Sequence, residues 1–139
     1  MPNWCSNEFT MTKENVSEEK LTKIIGNITK WKFFDYFYPV SDKVKIANDP
    51  DELSDEERTW RIDNWGTKWD IAAPTLVSFS HIKGKLTLTL TFETAWSPPI
   101  NFCEKLTKLG WYVELRYREE SMGFYGAYNS NSGDECHEF

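Results

Sequence analysis

Residues Lys85 to Glu93 read KLTLTLTFE, and this stretch constrains the chain more than any other. Its strict alternation sends Leu86, Leu88, Leu90 and Phe92 to one side of an extended backbone. Lys85, Thr87, Thr89 and Thr91 go to the other side. A helix would scatter both sets around its circumference, so the stretch is expected to be a strand with one dry face and one polar face. LVSFSHI, Leu76 to Ile82, precedes it across Lys83-Gly84, a two-residue turn signal that predicts a hairpin. A strand with an apolar face requires a second layer to cover it.

Two helical patterns can supply that layer. In the first, Ser17 is a candidate N-cap, Glu18 and Glu19 occupy the first turn, and Leu21, Ile24, Ile25 and Ile28 recur at helical spacing. In the second, Ser97 is the expected cap and Pro98 the first helical residue. Phe102, Cys103, Leu106 and Leu109 form its apolar stripe, and Gly110 ends it. Asn7, Phe9 and Met11 alternate with Glu8, Thr10 and Thr12 as a first strand. Trp111, Val113, Leu115 and Tyr117 alternate with Tyr112, Glu114, Arg116 and Arg118 as a later one, with MGFYGAY, Met122 to Tyr128, paired to it. The polar tail NSNSGDECHEF is expected to fray. Strand, helix, hairpin, helix, strand is the split βαβ order of a ferredoxin-like sandwich. The expected fold is therefore α+β, an antiparallel sheet of four or five strands with two helices on one face. The name carries no iron–sulfur cluster here, because the cysteine spacing for one is missing.

The length of 139 residues suits a single domain, residues 1–139, with residues 31–74 as an insertion after the first helix. The insertion opens with WKFFDYFYPV, Trp31 to Val40, read as a packed irregular connection. A polar, acidic stretch from Ser41 to Arg58 follows, centred on NDPDELSDEE. In it Ser54 and Glu57 form a capping box for a short helix through Trp60 and Ile62. Aromatic residues make up 16% of the chain, and so many large rings are expected to be packed away from water. Trp31 to Tyr38 and the later NWGTKWD stretch, Asn64 to Asp70, are expected to form a satellite aromatic cluster beside the main core.

The net charge of −6 opposes nonspecific affinity for a polyanion. The opening MPNWCSNEFT has neither a basic leader nor an apolar run, and no segment approaches the ~20 apolar residues of a membrane helix. A soluble protein of the cytoplasm is the resulting expectation. Cys5, Cys103 and Cys136 are odd in number and widely spaced, so neither a disulfide framework nor a zinc site is indicated. Asp49, Asp51, Glu52, Asp55, Glu56 and Glu57 lack the glycine and terminal glutamate of a calcium loop and are read as a solvated face. No metal and no cofactor is expected. His81 falls within a strand and His137 in the tail, and GFYG is too short to cradle a phosphate, so no catalytic residues are assigned and an enzyme is not expected.

Four separated stretches, MPNWCSN, NWGTKWD, FETAWSPP (Phe92 to Pro99) and MGFYG (Met122 to Gly126), together resemble the YubB-like ferredoxin-like domain proteins of bacteriophages and plasmids. The resemblance runs from Pro2 to Gly126 and implies a bacterial mobile-element protein. It supplies no catalytic residues, since that family is a domain of unknown function. The acidic run from Asp49 to Glu57 matches none of its motifs.

NWGTKWD admits two readings. In one, Trp65 and Trp69 pack inward, Gly66 makes a tight turn, and Lys68 and Asp70 hold the loop by polar contacts. In the other, Trp65 and Trp96 offer flat faces, Lys68 supplies a point charge for a phosphate or carboxylate, Lys68, Asp70, Arg116 and Arg118 add polar selection, and Trp69 lines or supports the region. The expected binding residues are therefore Trp65, Lys68, Trp69, Asp70, Trp96, Arg116 and Arg118. Three functions fit these features. The first is a non-enzymatic protein that neutralises a host factor, such as a defence component, by stoichiometric binding of a host protein or a nucleotide signal. The second is an accessory protein that binds single-stranded nucleic acid, and the third is a nucleotide-directed enzyme. Expected partners are a host protein or a small anionic ligand, with nucleic acid ranked lower, no membrane, and homo-oligomerisation open.

Overall fold

The structure is a computed structural model that describes residues 3–41 and 54–139. Asp49, Asp51 and Glu52 of the acidic run lie outside the described residues. The elements run β1 (Trp4–Lys13), α1 (Glu18–Thr29), α2 (Phe33–Phe37), α3 (Asp55–Trp65), β2 (Ala72–Ile82), β3 (Lys85–Ala95), α4 (Ile100–Lys108), β4 (Tyr112–Glu119), β5 (Phe124–Asn129) and β6 (Gly133–Glu138). The sheet order is β2-β3-β1-β4-β5-β6, and every neighbouring pair is antiparallel. The first four strands in that order are the ferredoxin-like arrangement, and the hairpin β5-β6 extends it.

The core follows from the alternation. Phe9 lies opposite Leu90 and Leu115, and Met11 opposite Leu88 and Val113, all of them buried. Ile24 and Ile28 of α1 and Phe102, Cys103 and Leu106 of α4 join the same core, so both helices cover the same sheet face. Ser17 caps α1, its hydroxyl accepting from the Lys20 N–H at 3.1 Å, and Ser54 caps α3 in the same way from Glu57 at 3.1 Å. Among the described residues, no helix is long and apolar enough to cross a membrane.

Several expectations are corrected. The tail does not fray but forms β6, with Phe124 to Asn129 pairing in register with Glu138 to Gly133. Its turn is built locally: Asn129 Oδ1 accepts from the N–H groups of Asn131 and Ser132 at 2.9 and 2.8 Å, and Gly133 takes the left-handed conformation. Trp31 to Val40 is not irregular throughout, since Phe33–Phe37 forms α2. α4 begins at Ile100 with Pro99 in the cap position, while the Ser97 hydroxyl donates to the Gly66 carbonyl at 2.5 Å. Leu109, assigned to the apolar stripe, is exposed at the helix end. The aromatic cluster is not a satellite. Phe33 meets Phe9 and Phe102, and Phe34 meets Phe92, Phe102 and Trp65, so the connection after α1 is part of the one main core. Trp31 itself is exposed.

Candidate binding surface

Because the side chains of a strand alternate, the residues that β1, β3 and β4 do not bury share the opposite face of the sheet, away from α1 and α4. Register places Ser6 between Glu93 and Arg118, Glu8 between Thr91 and Arg116, and Thr10 between Thr89 and Glu114. The threonines bond across strands, Thr10 to Thr89 at 3.1 Å and Thr12 to Thr87 at 3.4 Å. A shallow depression of about 520 Å³ lies over Ser6, Glu8, Thr91, Glu93, Arg116 and Arg118. A second, of about 400 Å³, lies over β4, β5 and β6. Both are lined by Arg116 and Arg118, so the two arginines stand on the ridge between them.

The second depression carries exposed rings. Tyr125 is opposite Arg118 on one side and His137 on the other. Tyr125 stacks with Phe139, centroids 5.3 Å apart and planes at 22°, and its ring centroid is 5.5 Å from that of His137. The Arg118 guanidinium sits over Phe139 at 4.5 Å and also donates to Glu120 at 3.2 Å. Arg116 makes no ion pair among the described residues. Sequence reasoning missed Tyr125, which the β4-β5 pairing sets opposite Arg118, and missed His137 and Phe139, which reach that row only once β6 is paired. The available signal was the register of the β4-β5 hairpin, which pairs Glu119 with Phe124 and so Arg118 with Tyr125.

NWGTKWD divides into two environments. Trp65 is 1% exposed. It ends α3, packs on Phe34 and Trp60, and donates its indole N–H to the Tyr38 carbonyl at 2.8 Å. Gly66 then turns the chain at φ 90°, and an added Cβ would meet Pro98 O and Ile100 N at 3.0 Å, so both the conformation and the space require glycine. Asp70 holds the start of α2, its carboxylate accepting from Phe34 and Asp35 N–H at 2.9 Å each and from Ile71 N–H at 2.7 Å. Burial, the largest influence, pushes that carboxyl up to about 6, against the opposing pull of these three donors. Trp65 and Asp70 thus support the loop from within and offer no free face or charge.

Lys68 and Trp69 lie on the rim. Lys68 Nζ sits 4.5 Å above the Trp69 ring, which leans on Trp4 at 5.9 Å. Trp4 precedes Ser6 by two residues in β1 and faces the open side with it. Trp96 follows β3 at the same end, 43% exposed, at φ 70° and with its N–H donating to the Asn3 carbonyl at 2.8 Å. The sequence-derived set therefore falls into three parts: Trp65 and Asp70 inside, Lys68, Trp69 and Trp96 at one end of the sheet, and Arg116 and Arg118 on the open face.

The groups weighed for catalysis are mostly engaged elsewhere. His81 Nε2 lies 2.6 Å from the Val16 carbonyl. Cys5 and Cys103 are buried, and burial pushes both thiols up, Cys5 to about 12. Cys136 is exposed on β6. Among the described residues no cluster of His, Cys, Asp and Glu is arranged to hold a metal ion.

This sheet, with its helices on one side, agrees with what the chain matches. A family model described as a ferredoxin-like domain in Api92-like protein covers residues 65–138, more than half of the chain. The chain belongs to this family. The Api92-like match begins at Trp65 and takes in β2 through β6 in full, while β1, the strand between β3 and β4, lies before it. Neither a curated protein nor a solved structure matches the chain.

Proposed function

We propose that the protein is a non-enzymatic binding protein of a phage or plasmid. It acts in the bacterial cytoplasm and neutralises a host factor, such as a defence component, by stoichiometric binding on the open sheet face. The mobile-element origin rests on the resemblance of MPNWCSN, NWGTKWD, FETAWSPP and MGFYG to the YubB-like proteins. The binding role rests on one observation: Arg116 and Arg118 stand on a ridge of the open face next to the exposed rings of Tyr125, His137 and Phe139. Guanidinium groups select a phosphate or carboxylate, and a flat ring selects another ring, with stacking on a nucleobase contributing roughly 1–3 kcal/mol. A nucleotide signal combines both, and an acidic host segment satisfies the first.

The test is titration calorimetry of the protein with a panel of mononucleotides, dinucleotides and cyclic nucleotides, beside native mass spectrometry of freshly purified protein for a retained small molecule. Saturable binding at a fixed ratio is expected, lost in the Arg116→Ala/Arg118→Ala variant. Turnover of any nucleotide by substoichiometric protein would refute the reading.

The same row of rings favours a second reading, an accessory protein for single-stranded nucleic acid, in which successive bases stack on the sheet. Glu8, Glu93, Glu114 and Glu135 on that face oppose a polyanion. A steep loss of oligonucleotide affinity with added salt would favour it over a single bound nucleotide.

A further inference from the structure

The two edges of the sheet are unlike. β6 carries Asp134, Glu135 and Glu138, all exposed, and like charges keep an edge strand from pairing with another. β2, AAPTLVSFSHI, contains no Asp, Glu, Lys or Arg in its length of 11 residues. Val77 is 57% exposed, Phe79 50% and Ile82 66%, and no described strand pairs with its outer side. Register shifts between Ala72 and Thr75 and between Leu76 and Ser78 disturb its first half, but Ser78 to Ile82 pairs regularly with β3. Phe79 lies opposite Leu88, which lies opposite Met11, so a row of the buried core runs outward to a half-exposed phenylalanine and stops uncovered.

We infer that β2 pairs with β2 of a second copy of this chain, antiparallel about a two-fold axis, so that the Phe79 side chains of the two copies cover one another at the join of a continuous sheet. A copy fits because antiparallel pairing of one segment with itself is self-complementary. The edge is uncharged, so two chains of net charge −6 meet there without local repulsion. The acidic β6 lies five strand spacings away, about 24 Å, beyond the ~8 Å range of unscreened charge. Its carboxylates also stop further sheet extension, which closes the assembly at two copies. The contact is one strand and a few side chains per partner, well under the ~1,600 Å² of a standard interface, so the dimer is weak and depends on concentration. A two-fold axis normal to the sheet places both open faces on the same side. This inference does not depend on the proposed ligand.

Sedimentation velocity over a wide concentration range tests it. The wild-type protein is expected to shift from the 16.4 kDa chain to twice that mass as concentration rises. Phe79→Lys and, separately, Val77→Lys are expected to hold the chain monomeric while keeping its circular dichroism spectrum and cooperative unfolding. The two variants guard against a fold defect in either one. Glu135→Lys on β6 is expected to leave the dimer intact. A wild-type protein monomeric at every concentration, an open series of larger oligomers, or a dimer indifferent to both β2 lysines would overturn the inference.

Discussion

Trp65 and Trp69 stand four residues apart in one motif, yet one belongs to the interior and the other to the rim. Trp65 is the last residue of α3 and is carried by that helix against Phe34, with Arg61 over its ring at 5.0 Å and Tyr38 accepting its N–H. Gly66, in the left-handed conformation, then redirects the chain, and Thr67 ties it to β3 by donating to the Ala95 carbonyl at 2.8 Å. Trp69 emerges beside Trp4, with Lys68 above it. Residue type did not separate the two tryptophans. The turn between them did, because a helix end followed by a reversal places neighbouring residues on opposite sides of the packed layer.

The largest break in this comparison is expected from truncating the rings. Trp65→Ala should cost about 3–5 kcal/mol, as for a buried aromatic whose cavity cannot collapse. Trp69→Ala should cost about 1 kcal/mol, near the worth of one aromatic pair. Urea unfolding of both variants measures the difference, and equal losses would place Trp69 in the core.

Next comes Asp70, the second inward residue. Asp70→Asn replaces one of two accepting oxygens with an amide donor and leaves a backbone N–H of α2 without a partner, at about 1–3 kcal/mol. The same group gives a pH dependence. Its ordinary value is 3.8 and its folded value about 6, so the folded state binds the proton more tightly. The contribution of Asp70 to stability is thus fully present below about pH 4 and is lost as pH rises through about 6. Unfolding midpoints across that range should show this component falling in the wild type and absent in Asp70→Asn.

The smallest effect on stability belongs to Lys68. Lys68→Ala should change unfolding by about 0.5 kcal/mol, the lower end of the range for a cation over a ring outside the core. If the rim contributes to binding, the same variant should weaken an anionic ligand measurably in the calorimetric titration. A large loss of stability would mean that Lys68, and not Asp70, organises the loop.

Much of the fold is legible because its signals are local. KLTLTLTFE can bury its leucines only as a strand, and Ser17 and Ser54 cap their helices through hydroxyls within reach of the next turn. The strand and helix order then yields the sandwich, since few topologies cover one sheet face with two helices. The candidate surface was only half legible. Arg116 and Arg118 follow from alternation in β4, whereas Tyr125 joins them through the register of β4 with β5, and His137 and Phe139 only through the pairing of β5 with β6.

Alternation and capping, properties of each segment by itself, therefore determined from sequence alone the sheet, the helices over it and the polar character of its other face. The tertiary structure decided what depends on partners far along the chain. Asp70 makes α2 a helix from 35 and 36 residues away, and Gly66 sorts Trp65 from Trp69. β6 is held by backbone hydrogen bonds, which any side-chain sequence can make, and so leaves no apolar pattern to read.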